Sequence, residues 1–206
     1  MSAKIAIAAA VAAAVGLGAG ALMVAMGGKD GPFADCQTGA VAGGSAQIGG
    51  AFTLTDETGA RVTDTQVIDG PTLVYFGYTY CPDICPTDTA RNAEAVTLLE
   101  ARGIMVKPVM ITIDPERDTP EVLAEFTDYI HPRMLGLTGS EDEIAAVARA
   151  YKTYYRKQDS EDEYYLMDHL TLSYLMLPEH GFVEFFKRDD SAQLLADRMQ
   201  CFIDAV

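Results

Sequence analysis

The sequence predicts an α/β sandwich on a mixed central sheet, carried behind a single N-terminal transmembrane helix. Three observations predict it. Apolar runs of strand length alternate with helical patterns between residues 73 and 156. Two further apolar runs meet at Pro178-Glu179-His180-Gly181, which is hairpin chemistry. And Ile5 to Met26, 22 residues, holds no charged or strongly polar side chain, enough to span a bilayer as a helix.

Lys4 and the α-amino group precede that span and favour a cytoplasmic N-terminus, placing the rest of the chain outside the inner membrane. A cleaved signal peptide is the competing reading, with Ala19-Gly20-Ala21 as a small-residue site; its apolar region is usually only about 7–15 residues long. Three regions follow: residues 1–28 as anchor, 29–50 as a Gly- and Ala-rich tether, and 51–206 as the folded domain. Phe33-Ala34-Asp35-Cys36 does not read as a lipidation site, because an acid stands where a small residue is expected.

Within the domain, Ala51–Thr55 alternates with period two. Asp56-Glu57-Thr58-Gly59 is a turn and Arg61–Thr63 returns, giving an N-terminal hairpin extension. Leu73–Phe76 is the first core strand. Thr87–Arg102 is a helix whose apolar side is Ala90, Ala93, Val96, Leu98 and Leu99, stopped at Gly103. Val106–Ile113 is the next strand, placed by Pro108 at an edge or bulge. Thr119-Pro120 opens a helix with Val122, Leu123, Phe126 and Ile130 inward. Met134–Thr138 is a short strand, and Ser140 with Glu143 caps a helix running to about Arg156. An acidic loop, Asp159–Glu163, precedes the hairpin of Leu170–Leu177 and Phe182–Lys187, and Ser191–Ala205 closes the chain as an amphipathic helix. The crossovers make the sheet parallel and the hairpin makes it antiparallel, so it is mixed.

The formal net charge is −15. Lys4 and Lys29 balance Asp30 and Asp35, so the whole excess lies in residues 51–206. Nucleic acid is excluded as a partner, because binding it needs a basic face. The charge suits a soluble domain that attracts cations or basic proteins.

The chemistry centres on Tyr75-Phe76-Gly77-Tyr78-Thr79-Tyr80-Cys81-Pro82-Asp83-Ile84-Cys85-Pro86-Thr87. Cys81 and Cys85 follow a buried strand, where sites of α/β sheets gather. Residues i and i+4 on a helical turn lie about 5–6 Å apart at Cβ. That spacing serves a shared metal ion or a disulfide alike. The prolines stiffen the turn.

This stretch resembles the copper-site signature of the Sco/SenC family. Asp168-His169 resembles that family's late Asp-His pair, and Asp114-Pro115-Glu116-Arg117-Asp118-Thr119-Pro120 resembles its Asp-Pro-x-Arg-Asp-Thr-Pro segment. The resemblance covers roughly residues 50–206. It implies a thioredoxin-like fold and a membrane-anchored periplasmic copper metallochaperone. The implied partner is the copper-centre subunit of cytochrome c oxidase, with other periplasmic copper carriers or thiol–disulfide reductants beside it. The implied metal ligands are Cys81, Cys85 and His169. Two thiolates and one imidazole suit copper, as Cu(I) or Cu(II), better than structural zinc, which usually takes four protein ligands. Asp168 cannot share the face of His169 in an extended strand and is read as an outer-sphere group. Met167 can share that face, and is read as a core residue ahead of a thioether ligand. His131 is read as a surface or cap residue and His180 as a solvated turn residue. Asp114, Arg117 and Asp118 divide evenly between partner docking or loop ordering and a salt-bridged loop with a helix cap.

A thiol–disulfide oxidoreductase or redox sensor would use the same pair, Cys81 and Cys85, without needing His169. A peroxidase and an inert disulfide are weaker alternatives. Cys36 and Cys201 have no motif around them. In an oxidising compartment two leftover thiols are most simply paired with each other, giving an expected Cys36–Cys201 structural disulfide.

Overall fold

The computed structural model describes residues 31–37, 48–160 and 164–206. The predicted anchor Ile5–Met26, most of the tether and Glu161–Glu163 of the acidic loop lie outside these. Among the described residues no helix is long and apolar enough to cross a membrane. The chain divides into two units, one ending at Gln37 and one running Thr38–Val206. In the first, residues 31–37 form turns, with Cys36 N and Gln37 N both donating to Phe33 O.

Among its described residues the second unit holds nine strands: β1 (Thr53–Asp56), β2 (Arg61–Thr63), β3 (Thr72–Gly77), β4 (Lys107–Thr112), β5 (Leu135–Thr138), β6 (Tyr155–Lys157), β7 (Met167–His169), β8 (Ser173–Leu177) and β9 (Gly181–Phe186). Five helices join them: α1 (Asp64–Val67), α2 (Ile84–Glu100), α3 (Pro120–Ile130), α4 (Glu141–Ala150) and α5 (Ala192–Asp204). Seven strands form one sheet in the order β2-β1-β5-β4-β3-β8-β9. β3, β4 and β5 are parallel; β8, β9, β1 and β2 run antiparallel to their neighbours. This is the mixed, thioredoxin-like arrangement that the element order predicts, with the N-terminal hairpin joined to the sheet through β5.

Every residue of β3 is buried, as expected of a central strand covered on both faces. Alternate residues of β4 serve two cores: Val109 and Ile111 join Phe76 and the α4 residues Ile144 and Val147, whereas Met110 joins Leu123 of α3. Two helices therefore cover opposite faces of one sheet. On α2, Ala93, Val96 and Leu99 are buried as predicted, but Ala90 is exposed and Asp88, Thr89 and Asn92 turn inward.

Pro108 is not at a sheet edge. β4 lies between β3 and β5. Lys107 N donates to Pro71 O and Ile113 N to Gly77 O, so odd-numbered amides of β4 face β3. The missing amide of Pro108 faces the β5 side, where pairing begins only at Val109. No ladder bond is lost, which is why proline is tolerated there.

The helix expected to reach Arg156 stops at Ala150. Thr153 N bonds to Ala148 O and Lys152 N to Arg149 O, and Lys152 sits at φ +54°. This is a Schellman ending with lysine in place of the usual glycine. The released residues form β6, which pairs with β7 as a separate antiparallel ribbon: Tyr155 opposite His169, Lys157 opposite Met167.

His131 ends α3 as its cap, but it is buried rather than on the surface. Its Nδ1 accepts from Arg133 N, so Nε2 carries the hydrogen towards Glu100 Oε1 at 3.4 Å. Burial lowers its pKa, and Glu100 opposes this only in part. A histidine whose pKa falls on folding binds fewer protons folded than unfolded. Its stabilising contribution is therefore complete above about pH 6.5 and is lost as pH drops below that value. Urea unfolding at pH ~8, ~6.5 and ~5 should show a steeper acid loss for wild type than for His131→Asn; identical slopes would remove His131 as the cause.

Candidate functional site

β3 and β4 are parallel and in register from Thr72 opposite Lys107 to Gly77 opposite Thr112. The loops that follow them, one with the cysteines and one with Asp114–Asp118, therefore leave the same edge of the sheet. α2 begins earlier than predicted, at Ile84, so Cys85 is its second residue and Pro86 its third. Proline is harmless in a first turn, where amides have no intrahelical acceptor. No side chain caps this helix from Asp83. Instead Cys85 N donates to Cys81 Sγ at 3.3 Å, so the sulfur itself serves as the cap. Gly77 permits the packing behind it, since a Cβ there would stand 3.2 Å from Cys85 Sγ and 2.6 Å from the Tyr75 ring.

Cys81 and Cys85 are free thiols, and both are buried: Cys81 is 8% exposed and Cys85 is fully enclosed. They are not equivalent. A hydrogen bond from the Cys85 thiol is the largest influence holding the Cys81 pKa down, helped by the amides of Cys85 and Asp83. The same bond, together with burial, holds Cys85 protonated. Cys81 is thus the more acidic thiol of the pair and Cys85 its hydrogen-bond donor. Only Cys81 reaches the cavity of about 330 Å³ above them, whose wall includes Ile84, Leu166, Met167 and His169.

The β6–β7 ribbon brings His169 onto this loop. Its Nε2 lies 3.4 Å from Cys85 Sγ. Its Nδ1 is 3.0 Å from Leu170 O. A carbonyl only accepts, so Nδ1 carries the hydrogen and the Nε2 lone pair is turned towards the sulfurs. The rings of Tyr75 and Tyr78 stand edge-on to the imidazole, with centroids 6.2 and 6.1 Å away. Among the described residues no three His, Cys, Asp or Glu side chains are gathered as a ready metal cage. Cys81, Cys85 and His169 are closed on one another through hydrogen bonds instead. Asp168 also lines this cavity, but its carboxylate is engaged by neighbours: it accepts from Gln158 Nε2 at 2.5 Å and Arg156 Nη2 at 3.1 Å, and these bonds lower its pKa. Met167 is buried in the main core.

The Asp114–Asp118 loop is a network within the domain. Asp118, wholly buried, accepts from Thr79 N at 3.1 Å, Thr79 Oγ1 at 2.6 Å and Thr112 Oγ1 at 2.6 Å. It ties the cysteine loop to the end of β4, and burial raises its pKa. Asp114 accepts from Arg117 Nε and from Tyr165 Oη at 2.7 Å. Tyr78 Oη accepts from Met167 N at 3.2 Å. Tyr78 and Tyr165 carry much of this assembly and were not singled out by the sequence reading, because nothing local marks a tyrosine as a tether between distant loops. Cys36 and Cys201 are both disulfide-bonded, in contrast to the site pair. His180 lies exposed in the β8–β9 turn.

A family model for SCO1/SenC matches residues 40–204. The protein SenC of Rhodobacter capsulatus is 49% identical over 205 residues, covering 100% of this chain and 91% of that protein. The structure of Arabidopsis thaliana ScoI with copper bound is 42% identical with a TM-score of 0.74, covering 77% of this chain and 99% of that one. The structure of BsSco, in which a disulfide switch was identified, is 25% identical with a TM-score of 0.63, covering 77% of this chain and 94% of that one; BsSco is a member of the Sco family of cytochrome c oxidase assembly proteins. The chain belongs to the SCO1/SenC family.

Proposed function

We propose that this chain is a membrane-anchored periplasmic copper-binding protein that serves assembly of the binuclear copper centre of cytochrome c oxidase. Copper is its cargo, held by Cys81, Cys85 and His169. The observation that carries the reading is the approach of His169 Nε2 to Cys85 Sγ at 3.4 Å with Nδ1 already committed to Leu170 O. A sulfur and a nitrogen sharing one ion, at bond lengths of about 2.3 and 2.0 Å, stand about 3.5 Å apart. The donors are soft thiolates with one imidazole, a set that favours copper. Few ligands at the floor of an open cavity let incoming thiols replace them without releasing the ion. The copper-bound Arabidopsis relative supports the same reading. Titrating the reduced domain with copper tests it. His169→Ala should lose Cu(II) affinity by more than about 100-fold, the loss of a ligand rather than of a support, with much less effect on Cu(I), which two thiolates still satisfy. A Cu(II) spectrum unchanged in His169→Ala would remove the histidine from the ligand set.

The inequality of the two thiols favours a second activity, reduction of a target disulfide. The Cys81 thiolate attacks one target sulfur, releasing the other as a thiolate. Cys85 gives up its proton and attacks Cys81, releasing the second target thiolate; the pair ends as a disulfide and the target gains two electrons. Oxidase-bound cysteines or other periplasmic copper carriers are fitting targets.

The anchor rests on Ile5–Met26. Cell fractionation should recover the full-length chain in the membrane, its domain open to protease on the periplasmic side. Recovery of a soluble form alone, starting near residue 22, would favour the cleaved signal instead.

A further inference from the structure

We propose that Arg117 is a positioning residue that holds the ribbon bearing His169 against the cysteine loop. The inference rests on the three-donor reading of the site. The cysteine loop leaves the seven-stranded sheet, whereas the histidine stands on a separate ribbon: among the described residues β7 pairs only with β6. Something outside the ligands must set their separation.

Arg117 is placed to do so. Its guanidinium carbon lies 3.5 Å from the ring centroid of Tyr165, which stands four residues before His169. It also lies 4.8 Å from Tyr80 and 5.8 Å from Tyr78, both on the cysteine loop. One planar cation therefore stacks on rings from both halves of the site. Its Nε is fixed by Asp114, whose second oxygen receives the Tyr165 hydroxyl. Its Nη2 is buried without a hydrogen-bond partner, so the rings and Asp114 define its place. Lys157 of β6 approaches the same Tyr165 ring at 3.6 Å and bonds to Glu116 at 2.9 Å, fastening the ribbon to the same loop. The Asp118 carboxylate does a separate task, since its hydrogen bonds go to Thr79 and Thr112. The loop thus divides its work: Asp118 holds the cysteines, and Arg117 holds the histidine to them.

The test compares Arg117→Gln, Arg117→Lys, His169→Ala and the double variant Arg117→Gln/His169→Ala in the reduced chain. Arg117→Gln should weaken Cu(II) by about 10–100-fold, as expected for a group supporting a ligand, and leave Cu(I) affinity and the Cys81–Cys85 reduction potential close to wild type. Arg117→Lys keeps a cation on the rings but loses the Nε bond, and should fall between. Because Arg117 acts through His169, the double variant should bind Cu(II) no more weakly than His169→Ala. Equal loss of Cu(I) and Cu(II), or additive losses in the double variant, would overturn the proposal. A second arm needs no copper. In metal-free reduced protein, imidazole ¹⁵N shifts should show His169 as one Nδ1–H tautomer in wild type and as an average of two in Arg117→Gln. A fixed tautomer in the variant would overturn the proposal even if the wild type bound no copper, a result that would sink the copper reading separately.

Discussion

Cys81→Ser and Cys85→Ser should each abolish tight copper binding, where the reduced wild-type domain, residues 30–206, takes up one ion per chain. Serine replaces a soft sulfur with a hard, protonated oxygen at the same place, so one thiolate and one imidazole remain. An expected loss of more than about 100-fold reflects a removed ligand rather than a removed support. The two variants should differ in their side effects. Cys81 Sγ caps α2 by accepting Cys85 N, a task a serine hydroxyl performs well, so Cys81→Ser should retain wild-type stability. Cys85 is fully enclosed, so its replacement buries a hydroxyl in a tighter site and should cost about 1–2 kcal/mol. Competition with a Cu(I) chelator measures the first effect and urea unfolding the second. Unchanged stoichiometry and affinity in both variants would falsify the ligand assignment.

The fold was legible where burial is continuous. The apolar run in β3, the capping box of α4 and the proline opening α3 all act through neighbours in sequence, and all stand where expected. Misreadings came where a tertiary partner decides. Nothing local marks Lys152 as a left-handed residue, so the end of α4 and the existence of β6 were hidden. Pro108 reads as an edge signal, yet the stagger between β4 and β5 leaves its missing amide unopposed inside the sheet. The inward face of α2 carries Asp88, Thr89 and Asn92, which an apolar pattern passes over; Asp88 accepts from Tyr75 Oη at 3.2 Å and Asn92 bonds to Ser173 Oγ at 2.8 Å.

The site divides in the same way. Cys81 and Cys85 were legible from spacing, because their contact is local. His169 was legible only through the family resemblance, since its approach to Cys85 spans 84 residues. The even choice between docking and structure for Asp114, Arg117 and Asp118 turns on contacts with Tyr165 and Thr79 that no periodicity encodes. The sequence marks Asp168 as an outer-sphere group; its carboxylate is engaged by Arg156 on the far strand of the ribbon and by Gln158 just beyond it. An influence on His169 from there would run through the ribbon's order rather than through direct contact.

Removing the second cysteine pair should cost far more stability than copper affinity. Cys36 and Cys201 are disulfide-bonded while the site cysteines are free. With four cysteines in the chain, a bridge between Cys36 and Cys201 leaves no unpaired thiol outside the site. Non-reducing peptide mapping of the isolated protein should recover the two in one cross-linked fragment; separately alkylated free thiols, or a dimer joined through Cys36, would defeat the pairing. Closing a loop of about 165 residues removes unfolded-state entropy worth at most about 5 kcal/mol in the chain-entropy model. The double variant Cys36→Ser/Cys201→Ser should therefore unfold at markedly lower urea with its copper stoichiometry intact. In the wild type, mild reduction should open the two pairs at different potentials. The Cys81–Cys85 pair, with a stabilised thiolate at the wall of an open cavity, should reduce first, and the Cys36–Cys201 bridge only under stronger reductant. That order would let the working thiols cycle while a Cys36–Cys201 bridge stayed closed.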